Sequence, residues 1–118
     1  MKILRFNDDR VGVIKNGDMV VDVSDSISSR KAKGGQRVME EIIAGWRKYR
    51  RRFEKILAEQ NGVPLNTVQL LCPLPRPGKC IAAFSNYIDR SGRTADNFPH
   101  EYFYKSPDLV GPGGAVEL

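Results

Sequence analysis

Pro73, Pro75 and Pro77 stand within five positions and run into Gly78, and no other feature restricts this chain as much. Each proline ring fixes φ and disfavours helix in the residue before it, so the stretch predicts a stiff, extended connector. Two regions follow from it: an N-terminal accessory domain over residues 1–72 and a second segment over residues 73–118.

In the first region, Lys2–Phe6, Val11–Ile14 and Met19–Val23 are short apolar or alternating runs, separated by Asn7-Asp8-Asp9 and Asn16-Gly17-Asp18. Short runs joined by tight turns predict a small antiparallel meander. Asn16-Gly17 is the sharpest hairpin signal, because a type I′ turn needs positive φ at both central residues. Ser24–Gly35 is polar and aperiodic and reads as a flexible loop. From about Gln36 the period changes. Val38, Ile42, Trp46, Tyr49, Phe53, Ile56 and Leu57 recur at three- and four-residue steps and mark one face of a single helix. Asn61-Gly62 supplies a left-handed cap, and Pro64 prevents continuation. The stripe is too short for a coiled coil, so it packs on the preceding strands. Leu65–Leu71 reads as a further strand.

The other side of this helix carries Arg47, Lys48, Arg50, Arg51, Arg52 and Lys55. Such a face can hold phosphates. Its plainer use is a solvated surface whose charges suit the C-terminal half of the helix through the macrodipole. No exposed aromatics interleave with it and no nucleic-acid module is recognisable, so nucleic acid is not an expected partner.

Beyond the connector, Lys79–Phe84 reads as a buried strand and Ser85–Asn97 as a loop or short helix. Tyr102–Lys105 reads as an aromatic strand, Val110–Gly114 as a turn and Ala115–Leu118 as the beginning of another strand. So few strands leave sheet edges uncovered. The expectation is a β-rich domain that continues further or takes strands from a partner. The fold class expected is therefore α+β: a small antiparallel strand meander with one main helix, then the first strands of an incomplete β-rich catalytic-type domain.

Composition excludes several classes. The chain is 41% hydrophobic and 28% charged, as in ordinary soluble domains. A net charge of +5 permits attraction to anions but does not by itself argue for nucleic acid. Cys72 and Cys80 fit no close-spaced metal motif and make no disulfide framework; they read as small buried apolar residues in a reducing compartment. The first ten residues lack the apolar run of a signal peptide. No stretch approaches the roughly 20 apolar residues that span a bilayer. The expected location is the cytoplasm, with no membrane partner.

Three segments in series carry a resemblance. They are Pro73-Leu74-Pro75-Arg76-Pro77-Gly78-Lys79, then Asn86-Tyr87-Ile88-Asp89, then Phe103-Tyr104-Lys105-Ser106-Pro107 leading to Val110-Gly111-Pro112-Gly113. Their order and spacing resemble the opening of the catalytic domain of the fumarylacetoacetate hydrolase family. The meander and helix before them are similar to the accessory N-terminal region of many bacterial members. The resemblance covers nearly the whole chain but only the first part of a typical member. It implies a metal-dependent enzyme, a homodimer when complete, acting on acylpyruvate-like 2,4-diketo or 2-hydroxy-dienoic acids. The reactions implied are C–C bond hydrolysis, isomerisation, decarboxylation or hydration. Mg²⁺ or another divalent cation is the implied cofactor, a hard ion suited to the oxo-acid end of such a substrate and able to polarise its keto group. The family's metal carboxylates lie downstream of the Gly-Pro-Gly turn, so no metal ligand is expected within this chain.

The departures are as informative. In the family, Asn-Tyr-x-Asp is followed by His and, three residues later, Glu; here Arg90 and Arg93 hold those places. Arginine stays protonated and cannot act as a base, so the usual dyad is replaced and the catalytic residues stay unassigned. Arg90 and Arg93 either grip a substrate carboxylate through the planar guanidinium or are loop charges paired with Asp89 or Asp96. Tyr87 and Lys105 match the motif and complete the expected substrate-binding set; Lys105 suits a structural ion pair equally well. Asn86 shapes the turn. The sole histidine, His100, with Glu101 beside it, reaches the site only in a shifted register and is otherwise solvated. Ser24, Ser26, Ser28 and Ser29 have no nearby histidine to activate them, and Gly34-Gly35 lacks the pattern of a phosphate loop.

Three functions follow in order: a family enzyme with altered acid–base groups, an idle relative serving as a binding or structural module, and a basic adaptor for nucleic acid. The 118 residues alone are expected to show no independent catalysis.

Overall fold

A computed structural model describes residues 1–28, 30–84 and 101–115, the side chains of residues 30–33 excepted. The chain divides into two units, Met1–Pro75 with Leu109–Leu118, and Arg76–Asp108.

The first unit begins with the meander. Strands β1 (Ile3–Phe6), β2 (Arg10–Lys15) and β3 (Met19–Asp22) pair antiparallel. Asn16 and Gly17 take φ of 56° and 95°, the positive values the expected hairpin turn demands. β4 (Val63–Pro64) adds to β3 and β5 (Leu70–Leu71) adds to β1, giving the order β4-β3-β2-β1-β5. Side chains alternate across a strand. Val11 and Val13 therefore share one face with Val21, which lies opposite Val13, and all three are fully buried. Against Val11, Val13, Val23 and Ile27 pack Val38, Met39, Ile42, Tyr49 and Phe53 from the helical layer. Each large side chain so buried contributes about 1.5–3 kcal/mol.

The helical layer is two helices, not the one expected: α1 (Arg30–Ala44) and α2 (Trp46–Glu59). Gly45 separates them, with φ −98° and ψ 23°. Its amide donates to the Glu41 carbonyl at 2.9 Å, and its own carbonyl accepts from Lys48 and Tyr49 at 2.9 and 3.2 Å. One ladder ends and the next begins on the same residue. The apolar stripe runs unbroken through the change because both helices face the same valines. The consequence is electrostatic. Arg47, Lys48, Arg50 and Arg51 stand at the start of α2, whose first turn has no acid and whose last turn has no base. The partial charge at that end of a helix is positive, so the macrodipole does not favour these residues, contrary to the sequence expectation.

Two other expectations are corrected. Ser24–Gly35 is not one loop: Ser24–Ser26 form a 3-10 turn, and α1 starts at Arg30, interrupted by non-helical Gly34. Ser24 is polar yet fully buried, because its hydroxyl accepts from the Val11 amide at 2.9 Å and its amide donates to Asp22 Oδ1 at 2.8 Å. Leu65–Leu71 is not one strand: a 3-10 turn at Leu65–Thr67 intervenes, held by the Leu65 amide on the Asp18 carbonyl at 2.7 Å. Gln60 ends α2 in extended conformation, and Gly62 takes the left-handed φ of 80° just beyond it.

Arg5 is a charged residue at 6% exposure. It pairs with Asp9 and donates to the Cys72 carbonyl, tying β1 to the approach of the proline connector. Against residues 70–72 also sits the turn Gly111–Gly114, closed by the Gly114 amide on the Gly111 carbonyl at 3.0 Å. Pro112 and Gly113, the latter with φ 76°, fill the central positions as in a type II turn. Ala115 lies outside any strand, and residues 116–118 of the expected last strand are outside the described residues.

The second unit contains the antiparallel pair β6 (Cys80–Ala83) and β7 (Tyr102–Lys105), in register from Cys80–Lys105 to Ala83–Tyr102. The buried strand expected at Lys79–Phe84 is instead half-covered: Cys80 and Ala82 are partly buried, while Ile81, Ala83 and Phe84 are exposed. A two-stranded sheet has no second layer to bury its faces. Cys72 and Cys80 are free thiols, half-buried rather than buried. No described helix is long and apolar enough to cross a membrane.

Candidate functional site

The β6–β7 pair positions the site. One step past the Ala83–Tyr102 pair, the Phe84 amide donates to the Glu101 carbonyl at 2.8 Å. The chain therefore leaves this sheet at Phe84 and returns at Glu101 with the two ends held side by side. The rings of Phe84 and Phe103 meet edge to face, centroids 6.4 Å apart and planes at 76°, the arrangement aromatic quadrupoles favour. Phe84, Glu101, Tyr102 and Phe103 line an open cavity of about 540 Å³. Among the described residues its walls are largely apolar with one carboxylate, which suits the hydrocarbon part of a small molecule.

Of the sequence-predicted residues, Lys105 ends β7 opposite Cys80. Its Nζ lies 5.3 Å from the Phe103 ring centroid, a cation–π contact, and it makes no ion pair among the described residues. Glu101 lines the cavity. Tyr87, Arg90 and Arg93, with Asn86, Asp89, Asp96 and His100, lie outside the described residues. Phe84 and Phe103 were legible only as strand residues; the signal for more was an aromatic two positions ahead of the Asn86-Tyr87 motif. Among the described residues, no three His, Cys, Asp or Glu side chains converge as a divalent cation requires.

No family model matches the chain. It is 35% identical over 92 residues to a maleylpyruvate hydrolase of Aquipseudomonas alcaligenes, covering 74% of this chain and 30% of that protein. Its fold is similar to that of maleylpyruvate hydrolase from Sphingobium sp. SYK-6 in complex with manganese(II) and pyruvate. The TM-score is 0.72 at 26% identity, over 91% of this chain and 38% of that one. The chain belongs to the fumarylacetoacetate hydrolase family. A second crystal structure of the Sphingobium enzyme gives a TM-score of 0.70 over 91% of this chain and 37% of that one. This member of the family spans between 30% and 38% of the length of the relatives it matches.

Proposed function

We propose that this chain contributes to an acylpyruvate hydrolase, an enzyme that cleaves a C–C bond of an acylpyruvate or 2-hydroxy-dienoate acid. The observation that carries the reading is the 35% identity to a maleylpyruvate hydrolase. The manganese and pyruvate held by the structural relative support it, since pyruvate is the oxo-acid half that such a cleavage releases. In this reading residues 1–72 are the accessory domain and residues 73–118 open the catalytic domain. A homodimer and a cytoplasmic location go with the complete enzyme.

A divalent cation, Mg²⁺ or Mn²⁺, would polarise the substrate's keto group when bound. The described residues supply no ligand set for it, so no step is assigned to it. The chain's own contribution is recognition. Arg90 and Arg93 grip the substrate carboxylate, Tyr87 and Lys105 add polar contacts, and the Phe84–Phe103 wall covers the acyl part. Because neither arginine can take a proton, the base comes from elsewhere than the usual dyad position.

The test is turnover. The natural product carrying these residues, supplied with Mn²⁺ or Mg²⁺, is offered a panel of acylpyruvates, and loss of the enol absorbance is followed. At least one acid is consumed on this reading; no consumption and no pyruvate binding removes it. The replacement of the dyad by Arg90 and Arg93 favours a second reading, a binding module without turnover. Calorimetric binding of pyruvate or oxalate without cleavage of any acid selects that one.

A further inference from the structure

Phe6 and Val20 are buried, at 4% and 1% exposure, on the face of the first unit's sheet that turns away from the helices. Phe6 pairs with Arg10 and Val20 with Ile14, each one step from the Arg5–Val11 and Val13–Val21 pairs whose valines meet the helical layer. The chain returns over these strands. β4 pairs at the edge of β3 and β5 at the edge of β1, so residues 65–69 pass from one edge of the sheet to the other. Both ends of this connection are pinned. The Leu65 amide donates to the Asp18 carbonyl at 2.7 Å; the Asn7 amide donates to the Gln69 carbonyl at 2.8 Å, and the Gln69 amide to Asn7 Oδ1 at 2.9 Å. Thr67 and Val68 of the connection, with Phe6 and Val20 of the sheet, line a cavity of about 520 Å³. Its volume is that of a small-molecule site, and its pinned wall makes it a formed one.

The polar groups of the wall select the ligand. Asp22 is engaged at both oxygens: Oδ1 accepts from the Ser24 amide at 2.8 Å and Oδ2 from Arg10 Nε. The two terminal nitrogens of Arg10 and Nδ2 of Asn7 have no partner among the described residues, and both residues line the cavity. Donors are therefore in excess, and a ligand must bring acceptors. The open edge of the guanidinium matches two coplanar oxygens. Arg10 is the sole cation among the described lining residues, and Asp22 beside it offsets much of its field. That balance holds one negative charge and is poor at holding a polyanion. The rest of the wall is hydrocarbon from Phe6, Val20, Val63 and Val68, which gives nothing to an anion oxygenated on every side. The geometry points to a binding site for a small monocarboxylic acid with an apolar body, its carboxylate on the Arg10 fork and its hydrocarbon against these four side chains. The site lies wholly in the first unit, and the inference does not depend on the hydrolase reading.

The probe is benzoate, with benzamide as its neutral counterpart and inorganic phosphate as an anion without hydrocarbon. Each is titrated into the ¹⁵N-labelled protein, and the backbone amide resonances of Asn7, Gln60, Thr67 and Val68, all at the cavity, are followed. Benzoate shifts the four together along one saturating curve. Benzamide binds at least about 10-fold more weakly, the lower end of what a charge-assisted hydrogen bond contributes, and phosphate moves none of them. Arg10→Gln weakens benzoate by about 10- to 100-fold and leaves benzamide where it was. Because Arg10→Gln also breaks the pair with Asp22, Gln60→Glu is the second variant. It is a near-isosteric exchange at an exposed residue of the wall, so the fold is kept while the added charge weakens benzoate and spares benzamide. Benzoate shifts that miss these four residues, benzamide or phosphate binding as well as benzoate, or benzoate binding indifferent to both variants overturns the inference.

Discussion

The Tyr49 hydroxyl donates to the Glu41 carboxylate across Gly45, joining α2 to α1 where the helical path breaks. This bond is the main reason the phenol's pKa is raised above 10, since Glu41 is satisfied by the neutral form; burial and the Glu41 charge add to it. A pKa higher in the folded than in the unfolded state contributes stability that is present below pH about 10 and lost as pH rises through the folded value. Glu41→Gln is expected to bring the Tyr49 phenolate transition back toward 10 in an ultraviolet titration read against Tyr49→Phe. An unmoved transition contradicts the assignment.

Gly62 sits at φ 80°, and a Cβ there would stand 2.4 Å from the Val20 carbonyl oxygen. Gly62→Ala combines left-handed strain with a backbone clash and is expected to destabilise the first unit by about 2–4 kcal/mol. Gly78→Ala, in open space at an unstrained φ, is the control and stays within about 0.5 kcal/mol. Urea midpoints of the two variants decide it.

On the proposed reading Arg90 and Arg93 serve substrate binding and not proton transfer. Arg90→Gln or Arg93→Gln is expected to raise KM for an acylpyruvate by about 10- to 100-fold, the value of one charge-assisted hydrogen bond. The pH profile of kcat should stay where it is. A lost pH limb with KM unchanged would mean that the position acts in proton transfer.

Phe103 is 42% exposed and meets Phe84 only at its edge. Phe103→Ala is expected to leave the melting of the first unit within about 0.5 kcal/mol while weakening substrates with bulky acyl groups. Phe53→Ala, at a site with no exposure, is expected to cost about 3–5 kcal/mol. Paired thermal melts and KM values across acyl chain lengths separate the two roles.

Much of the fold was legible where a local rule decided it. Asn16-Gly17 announced its turn because positive φ is a property of those residues, and Tyr102–Lys105 announced a strand by its aromatic run. The break at Gly45 was invisible because a stripe facing one sheet keeps its period through a change of helix. Leu65–Thr67 passed for a strand because its 3-10 turn is fixed by the carbonyl of Asp18, a partner far away in sequence. The same holds for the site. The motif residues up to Lys105 could be read directly, but the Phe84–Glu101 bond joins chain segments that no periodicity connects.

The most direct measurement of the central claim is calorimetric titration of pyruvate into the natural product that carries these residues, with and without Mn²⁺. Binding is expected to need the cation and to weaken in the Arg90→Gln variant. Absence of pyruvate binding at saturating Mn²⁺, or binding indifferent to the cation, contradicts it.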